Sequence, residues 1–270
     1  MKNRIDSILV EKKIFLTRQK AKYAIENKCV YIDGKLIEKP SKIVEDTCKI
    51  EIRGETLPFV SRGGLKLEKA INIFKINLQN KICMDIGAST GGFTDCMLQN
   101  GANKVYAIDV GHNQLAESIK KNNRVINLEG TNIKEVRVEK FEKIDFISID
   151  VSFISLTKIL DKAYELLTQN GLMVILIKPQ FEVGREYVNK NGVVKDKKAH
   201  LKVIEKIALY ANSLQFEILG LEYSPIKGLA GNIEYLLELK KNKTNFELFN
   251  IRRQIGQIVE KAHKELKNKE

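Results

Sequence analysis

The sequence has little of what marks a specialised protein. It holds four cysteines, Cys29, Cys48, Cys83 and Cys96, and none stand at Cys-x-x-Cys spacing. That spacing excludes a zinc ribbon and gives no sign of a disulfide framework, so buried or incidental thiols in a reducing compartment are expected. Long apolar stretches are also missing. The longest run is Leu172 to Ile177, far short of the roughly 20 residues a helix needs to cross a bilayer. Met1-Lys2-Asn3-Arg4-Ile5-Asp6 has no apolar core that would act as a secretion signal. There is no internal repeat and no low-complexity block. Together these absences point to a cytoplasmic globular protein, with neither a membrane nor a metal among its expected partners.

What is present fits that class. Of 270 residues, 43% are hydrophobic and 30% charged, enough apolar chain for a real core. The length suits one small and one medium domain. Lys and Arg number 46 against 34 Asp and Glu, a net charge of +12. An excess of that size favours a polyanion, either nucleic acid or an acidic membrane surface.

The pattern divides near residue 57, predicting a small domain over 1–57, a linker over 58–62 and a larger domain over 63–270. In the first part Ile5, Ile8 and Leu9 keep helical spacing, and Thr17 reads as the N-cap of a helix from Arg18 to Asn27. Cys29 to Ile32 reads as a strand, Asp33-Gly34 as a hairpin turn, and Lys49 to Ile52 as a last strand. Beyond the linker, apolar runs at Ile82–Ile86, Val105–Ile108, Ile144–Ile149 and Leu172–Ile177 alternate with helical patterns at Leu65–Phe74, Leu156–Leu167 and His200–Leu214. Such alternation predicts an α/β fold with a mostly parallel, doubly covered sheet. Phe216–Glu222 and Ile233–Leu239 follow one another without a helix, so one of them is expected to be antiparallel, at the sheet edge. Thr244-x-x-Glu247 reads as a capping box. It opens a C-terminal helix with Ile251, Ile255, Ile258, Ala262 and Leu266 on one face.

Two sets of residues carry chemistry. The first is Asp85-Ile86-Gly87-Ala88-Ser89-Thr90-Gly91-Gly92-Phe93-Thr94, a glycine-rich turn between a strand and a helix. Glycine there lets a ligand approach the backbone, and ligands of open α/β sheets sit at the carboxyl ends of the strands. Asp109 ends the next strand, where a carboxylate accepts hydrogen bonds from two ribose hydroxyls. Ser89 stands where a Gly-x-Gly-x-x-Gly fingerprint would have glycine. That departure favours S-adenosylmethionine, which has no pyrophosphate, over a dinucleotide, and a purely structural turn is the third reading. The expected cofactor set is Asp85, Gly87, Ser89, Gly91, Gly92, Phe93, Asp109, Asn132 and Asp150. The second set is Lys66, Asp150, Lys178 and Glu234, four charges at element ends where a core would not want them. Each alone reads as a solvated strand-end charge; as a set they read as an alternating cluster of two lysines and two carboxylates.

Those residues carry a resemblance. Asp85 to Thr94 with Lys66, Asp150, Lys178 and Glu234 resembles the FtsJ/RrmJ group of ribose 2'-O-methyltransferases, which use a Lys-Asp-Lys-Glu tetrad. Val60-Ser61-Arg62-Gly63-Gly64-Leu65-Lys66-Leu67, Lys178-Pro179-Gln180-Phe181-Glu182-Val183-Gly184 and Gly192-Val193-Val194-Lys195-Asp196 resemble the TlyA (hemolysin A) family of ribosomal RNA 2'-O-methyltransferases. Arg4-Ile5-Asp6, Thr17 to Lys22 and Val30 to Lys35 resemble an S4 RNA-binding domain. The resemblance implies a Rossmann-like S-adenosylmethionine-dependent methyltransferase fold behind a small α+β S4 domain. It also implies ribosomal RNA or ribosomal subunits as partner and a cytidine ribose as target. Lys178 is the expected general base, with Lys66 supplying a like charge and orienting the hydroxyl, and Asp150 and Glu234 holding the lysines. RNA contacts are expected from Arg4, Thr17, Arg18, Lys20, Lys22 and Arg62. The alternatives are a membrane-active cytolysin and a non-catalytic RNA-binding protein. Methylation of a base amine is disfavoured, because Asp150-Val151-Ser152-Phe153 is not an Asn/Asp-Pro-Pro-Tyr loop.

Overall fold

The computed structural model describes residues 2–15, 17–54, 56–242 and 248–267. The chain forms two compact units, Met1–Gly64 and Leu65–Glu270.

In the first unit β1 (Lys2–Arg4) leads into α1 (Ile5–Glu11), followed by α2 (Arg18–Glu26), β2 (Val30–Ile32), β3 (Lys35–Leu36), β4 (Ile43–Glu45) and β5 (Ile50–Ile52). Thr17 caps α2 by accepting the Lys20 amide at 3.2 Å, as its position before a helical pattern predicts. Asp33 and Gly34 both take positive φ, 48° and 77°, the primed hairpin geometry that matches strand twist. β2 is the centre of a three-stranded sheet between β3 and β5, and β1 pairs with β4. Ile5, Leu9, Ala21, Ala24, Ile25, Val30 and Ile37 form the core of this unit.

The second unit begins with α3 (Gly63–Phe74), whose first two residues close the first unit. Then come β6 (Ile82–Ile86), α4 (Gly92–Gln99), β7 (Lys104–Asp109), α5 (Glu117–Lys120), β8 (Val125–Glu129) and β9 (Ile144–Ile149). They are followed by α6 (Leu160–Leu166), β10 (Leu167–Ile177), α7 (Lys197–Ser213), β11 (Phe216–Tyr223), β12 (Tyr235–Lys241) and α8 (Leu248–Lys267). The sheet order is β11-β12-β10-β9-β6-β7-β8. β8, β7, β6, β9 and β10 are parallel, and β12 runs antiparallel to both of its neighbours. This is the Rossmann-like arrangement of the S-adenosylmethionine-dependent methyltransferases.

Four local readings change. The antiparallel strand is not at the edge: β12 lies between β10 and β11, and β11 is the edge. Burial explains this. Tyr235, Leu236, Leu237 and Leu239 of β12 are fully buried and need cover on both faces, whereas β11 leaves Leu219 44% exposed. β8 and α5 have weak patterns and were not foreseen. The helix expected over 156–167 is a short 3₁₀ turn at Leu156–Lys158 and the two-turn α6, and Leu167 already belongs to β10. In α8 Val259 takes the buried position beside Ile251, Ile255, Ala262 and Leu266, and Ile258 is partly buried. The Thr244 and Glu247 capping box lies outside the described residues.

Candidate active site

The parallel strands aim their carboxyl ends at one rim of the sheet, and the chemistry-bearing residues gather there. The turn after β6 is pulled tight against the end of β9. Gly87 has φ +86°, and a Cβ built on it would stand 2.4 Å from the Asp150 carbonyl oxygen, so only glycine fits. The Asp150 amide in turn donates to the Ile86 carbonyl at 2.9 Å. The glycine turn and the Asp150 strand end are therefore one piece of backbone.

Four amides of that turn already have acceptors within the protein. Gly87 and Ala88 both donate to the Ile108 carbonyl (2.9 and 3.1 Å), Gly91 donates to Ala88 (2.7 Å), and Ser89 donates to Asp109 Oδ2 (2.8 Å). A pyrophosphate binds by recruiting free amides at such a turn. These four amides are spent on holding the turn, which leaves fewer of them to a phosphate. Asp109 also accepts from the Gly111 amide at 2.8 Å. It is half-buried, and Val110 beside it is 70% exposed, an apolar surface suited to the flat face of an adenine. Asn132 is half-buried at the end of the next loop, where it caps a turn through Lys134 and donates to Glu135 Oε1.

Asp85, Gly91, Gly92 and Phe93, also in the expected cofactor set, are buried. Asp85 is fully buried. Thr94 and Ser148 hydroxyls donate to its two carboxylate oxygens at 2.7 and 3.0 Å. Burial pushes its carboxyl up to about 7, against the opposing pull of those hydroxyls. It braces the loop and offers no surface to a ligand. Gly87, Ser89, Asp109, Asn132 and Asp150 are the members of the expected cofactor set that keep exposed surface.

The four charges meet in a row. Lys66, in the first turns of α3, places Nζ 2.6 Å from Glu234 Oε2 and 3.9 Å from Asp150 Oδ2. Lys178, at the end of β10, places Nζ 2.6 Å from Asp150 Oδ1 and donates to Ser152 Oγ at 2.9 Å. The order Glu234–Lys66–Asp150–Lys178 alternates in sign, and all four side chains are less than a fifth exposed. Among the described residues Asp150 Oδ1 has no hydrogen bond of good geometry despite its close ammonium neighbour. Gly228 explains how the loop before β12 reaches the row: a Cβ there would stand 2.4 Å from Glu234 Oε1.

Three neighbours escaped the sequence reading. Ser152 takes the Lys178 hydrogen bond. Phe153 is 91% exposed, with φ +65°, and its ring lies 5.0 Å from that of Phe181. Glu182 is buried beneath them. Phe181 and Glu182 stand in the quoted Lys178–Gly184 motif; an exposed aromatic in a strained backbone position leaves no local mark. Among the described residues no group of three or more His, Cys, Asp or Glu is placed to hold a metal.

In the first unit Asp6 is fully buried. Arg4 donates to both of its oxygens (3.0 and 3.1 Å) and Arg18 to Oδ2 (2.9 Å). Burial raises the Asp6 carboxyl, and the two guanidinium groups overcome this and hold it below its ordinary value. Arg4 and Arg18 thus have structural work as well as about half of each side chain in solvent. Lys22 is exposed, Lys20 and Arg62 are half-buried, and Thr17 is the helix cap.

Comparison with known proteins agrees with this architecture. The FtsJ-like methyltransferase family model matches residues 59–241, and the S4 domain model matches residues 3–47. A Brachyspira hyodysenteriae protein named hemolysin A is 44% identical over 82% of this chain and 92% of its own length. The 16S/23S rRNA (cytidine-2'-O)-methyltransferase TlyA of Mycobacterium tuberculosis is 38% identical over 88% of this chain and 89% of its own. A solved structure from Streptococcus thermophilus, described as a hemolysin, superposes with a TM-score of 0.79 at 42% identity, covering 99% of this chain and 98% of that one. A parallel sheet with one antiparallel strand slotted inside it agrees with these matches: the chain belongs to the FtsJ-like methyltransferases, S-adenosylmethionine-dependent enzymes, and carries an S4 domain at its N-terminal end.

Proposed function

We propose that the protein transfers a methyl group from S-adenosylmethionine to a ribose 2'-hydroxyl of ribosomal RNA, at a cytidine. The observation that carries this is the alternating row Glu234–Lys66–Asp150–Lys178, built on the same backbone as the glycine turn. The relative from Mycobacterium tuberculosis supports the choice of RNA and of cytidine.

Gly87, Ser89, Asp109 and Asn132 would hold S-adenosylmethionine, which would supply an electrophilic methyl. The chain's own residues deal with the hydroxyl. As the ribose oxygen gains the methyl it must lose its proton, and Nζ of Lys178 is the proposed acceptor, a role that calls for its deprotonated form. General-base help of this kind contributes about 10²- to 10⁴-fold. Asp150 lies between the two lysines, so it stabilises the charge Lys178 acquires. Glu234 fixes Lys66, leaving the Lys66 ammonium beside Asp150 to orient the hydroxyl. Phe153, paired with Phe181 and almost wholly in solvent, offers a face on which the target base stacks, an interaction of about 1–3 kcal/mol. A base taken out of its helix brings its ribose within reach of a row that is otherwise nearly closed to solvent.

The test is a map of 2'-O-methyl groups on ribosomal RNA from cells with the gene, without it, and with the gene carrying Lys178→Ala. The expected result is a cytidine methyl that disappears in the second and third cases. A methyl that persists without the gene, or that Lys178→Ala restores in full, removes this reading. The hemolysin name belongs to the relatives that bear it; among the described residues no helix is long and apolar enough to cross a membrane.

A further inference from the structure

The two loops that carry Asp150 and Lys178 leave adjacent strands, β9 and β10; the first has no regular structure before Leu156, and the second opens with a single 3₁₀ turn. Proton transfer between a ribose and Lys178 needs their separation held to a fraction of an ångström, and misplacement by about 1 Å costs on the order of 10²-fold. Something must fix one loop against the other. The Phe153–Phe181 ring contact is at the solvent surface and is too soft to do it alone.

Glu182 stands where such a tie is needed. It follows Lys178 by a single 3₁₀ turn, Pro179–Phe181, and its side chain is 2% exposed. Its carboxylate crosses to the other loop. Oε1 accepts the Leu156 amide at 2.7 Å and Oε2 accepts the Ser155 hydroxyl at 2.7 Å. It thereby caps the 3₁₀ turn Leu156–Lys158 that ends the Asp150 loop. Lys206, on α7, approaches Oε2 to 3.7 Å and donates to the Glu182 carbonyl at 3.4 Å, which ties the same point to a long helix. Above this tie the Lys178–Ser152 hydrogen bond and the Phe153–Phe181 contact close the span between the loops.

We infer that Glu182 is a positioning residue for methyl transfer: it clamps the Asp150 loop to the Lys178 loop, and so sets the spacing of the proton acceptor and of the aromatic pair. It touches neither the hydroxyl nor the methyl donor. This rests on the function proposed above. The role is geometric, which makes a specific demand on substitutions. A glutamine at 182 keeps an acceptor for the Leu156 amide and turns a donor toward the Ser155 oxygen, so it preserves the clamp without the charge. An alanine removes it.

The experiment compares Glu182→Ala, Glu182→Gln and Ser155→Ala in the full chain. Methyl transfer to ribosomal RNA is measured with S-adenosylmethionine affinity, the KM for RNA and amide hydrogen exchange at Leu156. The expected result for Glu182→Ala is a kcat lower by roughly 10- to 100-fold, cofactor affinity and KM for RNA within about 3-fold of the parent, and faster exchange at Leu156. Glu182→Gln recovers most of the rate and the protection, and Ser155→Ala falls between them. If the alanine variant does not fold, the glutamine and Ser155→Ala variants still decide the matter. Unchanged Leu156 protection in Glu182→Ala overturns the clamp. So does a glutamine variant as slow as alanine, which assigns the effect to charge, or a loss of cofactor affinity in step with the rate, which assigns it to general damage. A parent protein that transfers no methyl while Leu156 exchange still responds to Glu182 overturns the proposed function and leaves the clamp standing as structure.

Discussion

Both units bury a carboxylate between two cations, and they do so to different ends. In the first unit Asp6 meets Arg4 and Arg18, and every contact is an aligned hydrogen bond of 2.9 to 3.1 Å. In the second, Asp150 meets Lys66 and Lys178 at 3.9 and 2.6 Å, and its Oδ1 lacks an aligned hydrogen bond among the described residues. A guanidinium is a rigid fork that does not give up its proton, so Arg–Asp–Arg is a permanent staple. An ammonium is a point charge on a flexible stem, and it can exist neutral when its surroundings disfavour charge. Lys–Asp–Lys suits a site that must take up a proton and let it go. The same charge pattern therefore builds a joint in one place and, in the proposed mechanism, a proton acceptor in the other. Asp85 gives a third case: it is buried with hydroxyl partners and burial pushes it up to about 7.

The largest expected effect tests the difference between the two cations. Lys178→Arg keeps the charge and the approach to Asp150 but removes the ability to accept a proton. Transfer should fall by about 10²- to 10⁴-fold, as for alanine, with S-adenosylmethionine binding retained in a calorimetric titration. Near-normal transfer by the arginine variant would erase the distinction drawn between the two clusters. Asp109→Ala should come next, weakening cofactor binding by roughly 10- to 100-fold through the loss of charge-assisted hydrogen bonds. Unchanged affinity would move the ribose site elsewhere.

The pH dependence sharpens the third case. Asp85, with its carboxyl near 7 when folded, binds a proton more tightly in the native state than in the unfolded chain. Its contribution to stability is complete below the unfolded carboxylate range and is lost as pH rises through about 7. The loss amounts to roughly 4 kcal/mol at most. Glu238 on β12, also pushed up to about 7 by burial, adds a slope of the same sign. Asp85→Asn should flatten the fall in Tm between pH 5 and pH 8; an equally steep fall in the variant would mean that Asp85 is ionised throughout. Asp6 has the opposite sign. Its carboxyl is held low, so its stabilisation is present at neutral pH and fades as the solution becomes acid. Asp6→Asn should destabilise the first unit by about 1–3 kcal/mol, read from hydrogen exchange in α1 and α2. The smallest effect is expected from Lys22→Ala. Lys22 is exposed, and if it meets a phosphate the salt slope of RNA binding should fall by about 1. An unchanged slope takes Lys22 off the RNA surface.

Much of this was legible residue by residue where the physics is local. Thr17 before a helical pattern, Asp33-Gly34 between two short apolar runs and the parallel strands at Ile82, Val105, Ile144 and Leu172 each follow from rules that act within a few residues. The tetrad was legible as four strand-end charges and as a family pattern, although no spacing along the chain says that Lys66 meets Glu234, 168 positions away. β8 escaped because Val125-Ile126-Asn127-Leu128-Glu129 is an edge strand of mixed polarity. The place of β12 escaped because a run such as Tyr235-Leu236-Leu237 reads the same in the middle of a sheet as beside its edge. The full burial of Asp85 was not legible, since its place at a strand end does not tell that Thr94 and Ser148 cover its carboxylate.

Taken alone, the order of residues determined the kinds of element, the two-part division of charge and motif, and the residue types from which a methyl-transfer site is built, because backbone propensity, capping and patterning depend on near neighbours. Folding decided which charges share a carboxylate, which turn amides are already spent and which loop Glu182 reaches. Those facts are distances between segments far apart in the chain, and only a packed sheet with its strand ends on one rim sets them.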